Sequence, residues 1–131
     1  MSSIFLKIIN RTLPAHIVLE NSDFIAFLDI NPLALGHTLV VPKKQVDYFF
    51  DLDDKSLSDI ILFSKKISKA LMKVTKCNRV GISVIGLEVP HAHIHLIPLN
   101  KMDDMDFSKK RVTTTSSELS SICKKIQFEI I

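Results

Sequence analysis

Three histidines, His91, His93 and His95, alternate with apolar residues in one short run. Successive side chains of an extended strand point to opposite faces, so residues two apart share a face. The spacing therefore predicts a strand with three imidazoles on one face, the backbones of neighbouring histidines being about 7 Å apart. Pro90 and Pro98 bracket the run, as is typical of a strand that begins and ends abruptly. Imidazoles this close together can share one substrate or one metal ion.

Three interpretations of the histidine run compete. A half-solvated strand whose polar positions are histidine by chance is the least favoured. Three imidazoles on one face are good zinc ligands, with a fourth coordination position left open. One imidazole can instead be the nucleophile of a phosphoryl or nucleotidyl transfer, while the others orient it and handle protons. The run by itself leaves the zinc site and the transfer site equally open.

The composition indicates one globular domain without a strong electrostatic field. Of the 131 residues, 47% are hydrophobic and 24% are charged, which predicts a single domain spanning residues 1–131. The net charge of +3 mildly favours anionic ligands, and we expect neither a nucleic-acid nor a membrane partner. Cys77 and Cys123 match neither a redox nor a zinc spacing. The chain has no signal-peptide pattern and no apolar run near the ~20 residues of a membrane span, so we expect a cytoplasmic protein.

Local patterns divide the chain into helices and strands. Helices are predicted at 4–9, from Asp53 or Asp54 to about Cys77, and after a capping box that begins at Thr115. Strands are predicted at 17–20, 24–29, 37–42, 79–85 and along the histidine run. This order predicts an α+β fold: a mostly antiparallel sheet of about five strands, one long helix and shorter terminal helices. The long helix is apolar on more than one side, which a dimer contact or packing within the subunit would explain.

The segment between the histidine run and the last helix, residues 100–112, is polar and irregular. It contains three consecutive basic residues at 109–111. We expect this basic cluster to be a solvated surface patch rather than a phosphate site.

Three segments together resemble one known family. The run from His91 to Ile97 resembles the motif His-φ-His-φ-His-φ-φ of the histidine-triad nucleotide hydrolases and transferases, where φ is an apolar residue. Residues 4–9 with Leu13-Pro14-Ala15 are similar to the family's N-terminal "Phe-x-Lys-Ile-Ile … Ile-Pro-Ala" segment. Residues 27–43 are similar to its block "Phe-x-Asp-Ile-x-Pro … Gly-His-x-Leu-Val-x-Pro-Lys". The three segments occur in the family's order and cover residues 3–98, and they look most like the nucleoside phosphoramidase branch.

The resemblance implies a mechanism that uses four histidines. His93 would attack the α-phosphorus of a purine nucleoside 5′-phosphoramidate and form a nucleotidyl-imidazole intermediate, from which water releases a monophosphate such as AMP. His91 would tune His93, His95 would contact the phosphate and the leaving group, and His37 would support their proton network. Alternatives are a diadenosine polyphosphate hydrolase and a nucleotide-binding module with little turnover. The family also implies a homodimer and no cofactor.

The resemblance extends to the nucleoside end of the substrate. Asp29 matches the residue whose carboxylate accepts hydrogen bonds from the ribose hydroxyls. The residues that match the apolar base pocket are Phe5, Leu13, Phe27 and Ile30. Taken alone, Asp29 would be assigned to a turn and the apolar residues to the core.

Two departures from the family pattern concern phosphate and zinc. Glu88 stands beside Val89 in the phosphate-binding loop, where many relatives have Ser or Thr, and its carboxylate would repel a phosphate if it pointed inward. Some relatives hold a structural zinc with two cysteines and two histidines. The matching positions here are Ser3, Leu6 and Gln45, so we expect no metal at that site. Zinc held only by the three histidines of the run then ranks low.

Overall fold

The computed structural model describes residues 3–130 and has three α-helices and five strands in that range. In chain order these are α1 (Ile4–Ile9), β1 (Ile17–Glu20), β2 (Phe24–Leu28), β3 (Thr38–Pro42), α2 (Asp54–Thr75), β4 (Arg79–Ser83), β5 (Ile94–Leu99) and α3 (Ser116–Glu129). Short 3-10 helices occupy Phe49–Asp51 and Met102–Met105. The predicted α+β class is therefore confirmed. Met1, Ser2 and Ile131, which end the predicted single domain, lie outside the described residues.

The five strands form one antiparallel sheet in the order β1-β2-β3-β5-β4. The central strands are almost wholly apolar because both faces of the sheet are covered, and every residue of β2 and β3 is buried. Pairing of β3 with β5 sets Leu39 opposite His95 and Val40 opposite Ile94. This register places His95 in the middle of the sheet, and β4 forms one edge.

Helices α2 and α3 pack on one face of the sheet, and α1 packs on the other. The first face carries the main hydrophobic core, which includes Ile60 and Leu71 of α2 and Ile126 of α3. A smaller cluster on the second face joins Phe5 of α1 to Phe27 of β2. Both predicted N-caps are present, since the side chains of Asp53 and Thr115 accept hydrogen bonds from backbone N–H groups of the first helical turn.

The apolar second side of α2 is not covered by any part of residues 3–130. Ile61 and Leu62 are 47% and 57% exposed, so the subunit itself leaves them in solvent. No helix within residues 3–130 is long and apolar enough to cross a membrane.

Candidate active site

Only the last histidine of the run belongs to a strand. His91 and His93 precede β5, which begins at Ile94, so the strand predicted over the whole run is too long. The reason is that this stretch bonds to the loop after β3 instead of to a ladder partner. The N–H of Ala92 donates to the carbonyl of Val46, and the ring of His91 bonds to the carbonyl of Pro42. The three imidazoles still occupy one region, with ring centroids of His93 and His95 4.9 Å apart.

His93 is held with one ring nitrogen protonated and the other free. Its Nδ1 lies 2.8 Å from the carbonyl oxygen of His91, and since a carbonyl can only accept, Nδ1 carries the proton. Nε2 therefore keeps its lone pair. The edge of the Phe5 ring packs against this imidazole at 4.9 Å between centroids. Burial lowers the pKa of His93, and the hydrogen bond to His91 opposes that shift, so the ring is neutral at pH 7.

His91 is fully buried and both of its ring nitrogens have partners. Nε2 donates to the carbonyl oxygen of Pro42 at 2.7 Å, which leaves Nδ1 as an acceptor. The hydroxyl of Ser3 fills that role at 2.9 Å, and Ser3 in turn accepts the N–H of Leu6 as the N-cap of α1. Burial lowers the pKa of His91. Hydrogen bonds therefore join the first helix to the ring of His91, the residue whose carbonyl orients His93.

The structure brings His37 and His95 together although they are 58 residues apart in the chain. The N–H of Leu33 donates to Nδ1 of His37, so the proton of this neutral ring is on Nε2. Nε2 of His37 lies 3.0 Å from Nδ1 of His95 and donates to it. The remaining proton of His95 is thus on Nε2. Burial lowers the pKa of His37 to about 3 and that of His95 to about 4, which keeps both rings neutral at pH 7.

Asp29 lies beside this pair, at the end of β2. One carboxylate oxygen accepts the N–H of Asn31 at 2.8 Å. The other, Oδ2, lies 3.7 Å from Nε2 of His37 and 3.9 Å from the guanidinium of Arg111. Both distances are too long for hydrogen bonds, so Oδ2 can accept one from a ligand. Burial raises the pKa of Asp29, and the hydrogen bond from Asn31 and the neighbouring cation Arg111 oppose that change.

The residues predicted to bind the base divide into a buried group and an exposed group. Phe5 and Phe27 meet edge to face at 5.6 Å, and Leu13 and Val89 pack against their cluster. These side chains form an apolar surface beside His93. Ile30, by contrast, is 66% exposed.

The loop between β4 and His91 presents few polar side chains toward the histidines. Glu88 is exposed in this loop. Ser83 lies directly opposite His95 in the pairing of β4 with β5, and paired residues of an antiparallel sheet project to the same face. A hydroxyl group therefore stands next to His95 on the face of the sheet that carries the histidines.

Two residues lie near the site although sequence analysis did not assign them to it: Phe107 and Arg111. The ring of Phe107 packs against His95 at 4.9 Å, and the Arg111 guanidinium lies over that ring at 5.5 Å. The basic cluster was expected to be solvated, which holds for Lys109 and Lys110 but is wrong for the half-buried Arg111. No local pattern distinguishes Arg111 from the two lysines, because its polar contacts are with Asn31 and Asp29, about 80 residues away in the chain.

Neither candidate metal site suits a cation. Within residues 3–130, the ligand atoms of Asp29, His37 and His95 converge to within 4.8 Å of one another. A metal on Nε2 of His37 would require the proton on Nδ1, where the Leu33 N–H already points, so two donors would face each other. The zinc site of some relatives does not fit either. Both nitrogens of His91 are occupied, and Ser3 replaces a cysteine.

Comparison with known proteins identifies the family. A model of the HIT (histidine-triad) domain matches residues 10–102. An uncharacterized HIT-like protein of Borreliella burgdorferi is 42% identical over 113 residues, which cover 81% of each chain. The adenosine 5′-monophosphoramidase HNT1 of Saccharomyces cerevisiae is 38% identical over 97 residues, 72% of this chain and 61% of the yeast protein.

A solved structure agrees with these sequence matches. The crystal structure of a HIT-like protein from Bartonella henselae, described as involved in cell-cycle regulation, superposes with a TM-score of 0.83 at 33% identity. The superposition covers 98% of this chain and 96% of that chain. The matches in sequence and in fold therefore agree, and the chain belongs to the HIT family.

Proposed function

We propose that this chain is a hydrolase that cleaves purine nucleoside 5′-phosphoramidates, or related nucleotides, at the α-phosphorus through a nucleotidyl intermediate on His93. The observation that carries the proposal is the hydrogen bond from Nδ1 of His93 to the carbonyl oxygen of His91, which leaves Nε2 unprotonated. The name of the yeast relative, an adenosine 5′-monophosphoramidase, supports the substrate class.

The reaction has two displacements at phosphorus. In the first, the lone pair of His93 Nε2 attacks, the P–N bond of the substrate breaks, and the amine leaves with one proton. In the second, a water oxygen bonds to phosphorus and the P–Nε2 bond breaks. One proton of that water replaces the proton that left with the amine. His95 keeps one donor, Nε2–H, because its Nδ1 accepts from His37. That donor is assigned to the phosphate oxygens and the leaving nitrogen, where charge develops.

The nucleoside end is assigned to the residues around Asp29. Its Oδ2 atom is within reach of a ligand and suits the ribose hydroxyls. The apolar surface of Phe5, Leu13 and Phe27 suits a purine base, since base pockets are largely apolar. Ile30, Glu88 and Val89 are assigned to the rim of the same site.

Replacement of His93 tests the proposal. Adenosine 5′-phosphoramidate and diadenosine tetraphosphate are offered to the wild type and to His93→Ala, and binding of AMP is measured by titration calorimetry. We expect phosphoramidate turnover by the wild type, no turnover by the variant, and AMP affinity in both proteins. The matched control His16→Ala, which removes a histidine outside the site, should keep full turnover.

Other results would support other functions. Preferred cleavage of diadenosine tetraphosphate would move the assignment to a polyphosphate hydrolase. AMP binding without turnover of either substrate would indicate a nucleotide-binding module. Turnover that survives His93→Ala, or that a chelator abolishes, would refute the nucleophilic histidine.

We also infer that the single domain works as a homodimer built on the edge strand β4. An exposed strand edge pairs readily with another chain, and apolar side chains are exposed on β4 and on the loop that follows it. They are Ile82, Val84, Ile85 and Leu87. Light scattering should give a dimer for the wild type, a monomer for Ile82→Lys, and a dimer for the control Phe128→Lys, which changes an exposed apolar residue of α3. A monomeric wild type would contradict the inference.

We infer a cytoplasmic location as well. Cys77 and Cys123 are both free and buried, and unpaired cysteines are the rule in reducing compartments. Imaging of a fluorescent fusion in the native cell tests this directly.

A further inference from the structure

The segment 106–112, called the strap below, crosses the site beyond the part of the chain that the HIT domain model matches. The N–H of Val112 donates to the carbonyl of Pro32 at 2.9 Å, which fastens the strap to the loop after β2. Phe107 lies against both members of the histidine pair, 4.9 Å from His95 and 6.3 Å from His37 between ring centroids. The strap therefore covers the histidine pair on one side.

Arg111 is the strap residue nearest to the carboxylate of Asp29. Its guanidinium nitrogen Nη1 donates to the carbonyl oxygen of Asn31 at 2.7 Å and lies 3.9 Å from Oδ2 of Asp29. A cation at that distance stabilises the charged carboxylate, but it does not make the two-bond ion pair that would occupy both oxygens. Asp29 is 17% exposed, so the attraction is screened only in part.

Two contacts stop the guanidinium from closing onto Asp29. The carbonyl oxygen of Asn31 accepts a hydrogen bond from Nη1 of Arg111. The face of the Phe107 ring lies beneath the guanidinium, with 5.5 Å between the ring centroid and the central guanidinium carbon. Phe107 is in turn supported by His95. The arrangement keeps the positive charge close to Asp29 and leaves Oδ2 open toward a ligand.

We propose that Arg111 is a specificity-determining residue for the sugar: it places a positive charge beside the Asp29 carboxylate and leaves Oδ2 accessible, so that the site prefers nucleotides with free 2′- and 3′-hydroxyls. This rests on the proposed function, in which Asp29 binds the ribose. Arg111 acts through Asp29, and Phe107 holds Arg111 in place. Burial disfavours the charged carboxylate of Asp29, and the N–H of Asn31 and the Arg111 cation both oppose that effect. A charged carboxylate is the better acceptor for hydroxyl hydrogen bonds.

Calorimetry with two nucleotides tests the proposal without needing turnover. The ligands are AMP and 2′,3′-dideoxyadenosine 5′-monophosphate, which differ only in the ribose hydroxyls. We expect the wild type to prefer AMP by at least about tenfold, since hydrogen bonds to a charged group are the stronger kind. Arg111→Met should remove most of this preference while affinity for the dideoxy nucleotide changes little. Lys110→Met, which removes an exposed charge from the same strap, should keep the preference.

Two further variants distinguish action through Asp29 from a general structural effect. Asp29→Asn should lose the preference, and adding Arg111→Met to it should reduce the preference no further. Phe107→Leu, which keeps apolar volume but loses the ring face, should weaken the preference in the same direction.

The result that overturns the inference is specific. The inference fails if Arg111→Met weakens the binding of both nucleotides by the same factor, or if it changes the affinity for neither. If the wild type binds neither nucleotide, the proposed function fails first and the inference falls with it.

Discussion

Replacing Ser3 with alanine removes one hydroxyl that serves two partners, of which His91 is fully buried. Ser3 accepts the N–H of Leu6 as the N-cap of α1 and donates to Nδ1 of His91. Loss of a serine N-cap costs about 1 kcal/mol. Leaving the buried nitrogen of His91 without a donor costs a further 1–3 kcal/mol or so. We therefore expect Ser3→Ala to lower the free energy of unfolding by about 2–4 kcal/mol.

Thr115→Ala provides the matched control for this measurement. Thr115 also caps a helix by accepting a backbone N–H, but it is exposed and its hydroxyl caps α3 alone. Its replacement should cost about 1 kcal/mol. Urea unfolding followed by circular dichroism gives both values by linear extrapolation. The difference between the two variants measures the contact of Ser3 with His91.

An equal loss in the two variants would refute the reasoning, because it would mean that the bond between Ser3 and His91 contributes nothing. A second readout is available if the site is catalytic. Turnover should fall in Ser3→Ala, because the backbone carbonyl of His91 orients His93, and it should stay unchanged in Thr115→Ala.

Four further outcomes follow from other parts of the structure. Turnover should be constant from about pH 8 to about pH 7 and fall in acid with a midpoint below the ordinary histidine value of 6.5, because burial lowers the pKa of the nucleophile His93 and lowers that of His95 to about 4. A midpoint at or above 6.5 would contradict the burial argument. Folding lowers the pKa of His95, so the free energy of unfolding should also decrease as the pH is lowered from about 6.5 to about 4. Gly36→Ala should destabilise the fold by about 1 kcal/mol or more in thermal melts, because Gly36 has a φ of +101° and a Cβ there would lie 3.0 Å from the side chain of Thr75. A thiol reagent should modify the buried Cys77 and Cys123 only after denaturation, and reaction in the native state at the unfolded rate would show that they are exposed.

The sequence by itself determined the features that depend on neighbours in the chain. Asp53 and Thr115 were predictable as N-caps from residue type, because each side chain accepts a hydrogen bond from the backbone N–H three residues later. The helical period fixed the buried face of α2, and runs of apolar residues bounded by turn residues located the strands. The histidine run, Asp29 and His37 were found through short motifs, which are local by nature.

Only the tertiary structure decided which distant groups meet at the site. The hydrogen bond of Ser3 with His91 spans 88 positions, that of His37 with His95 spans 58, and that of Arg111 with Asn31 spans 80. Each ring nitrogen accepts or donates a hydrogen bond according to its partner, so the tautomers of the histidines could not be predicted from the run itself. Arg111 looks the same in sequence as its exposed neighbours. Its contact with the site exists because chain folding brings the strap back over the end of β2.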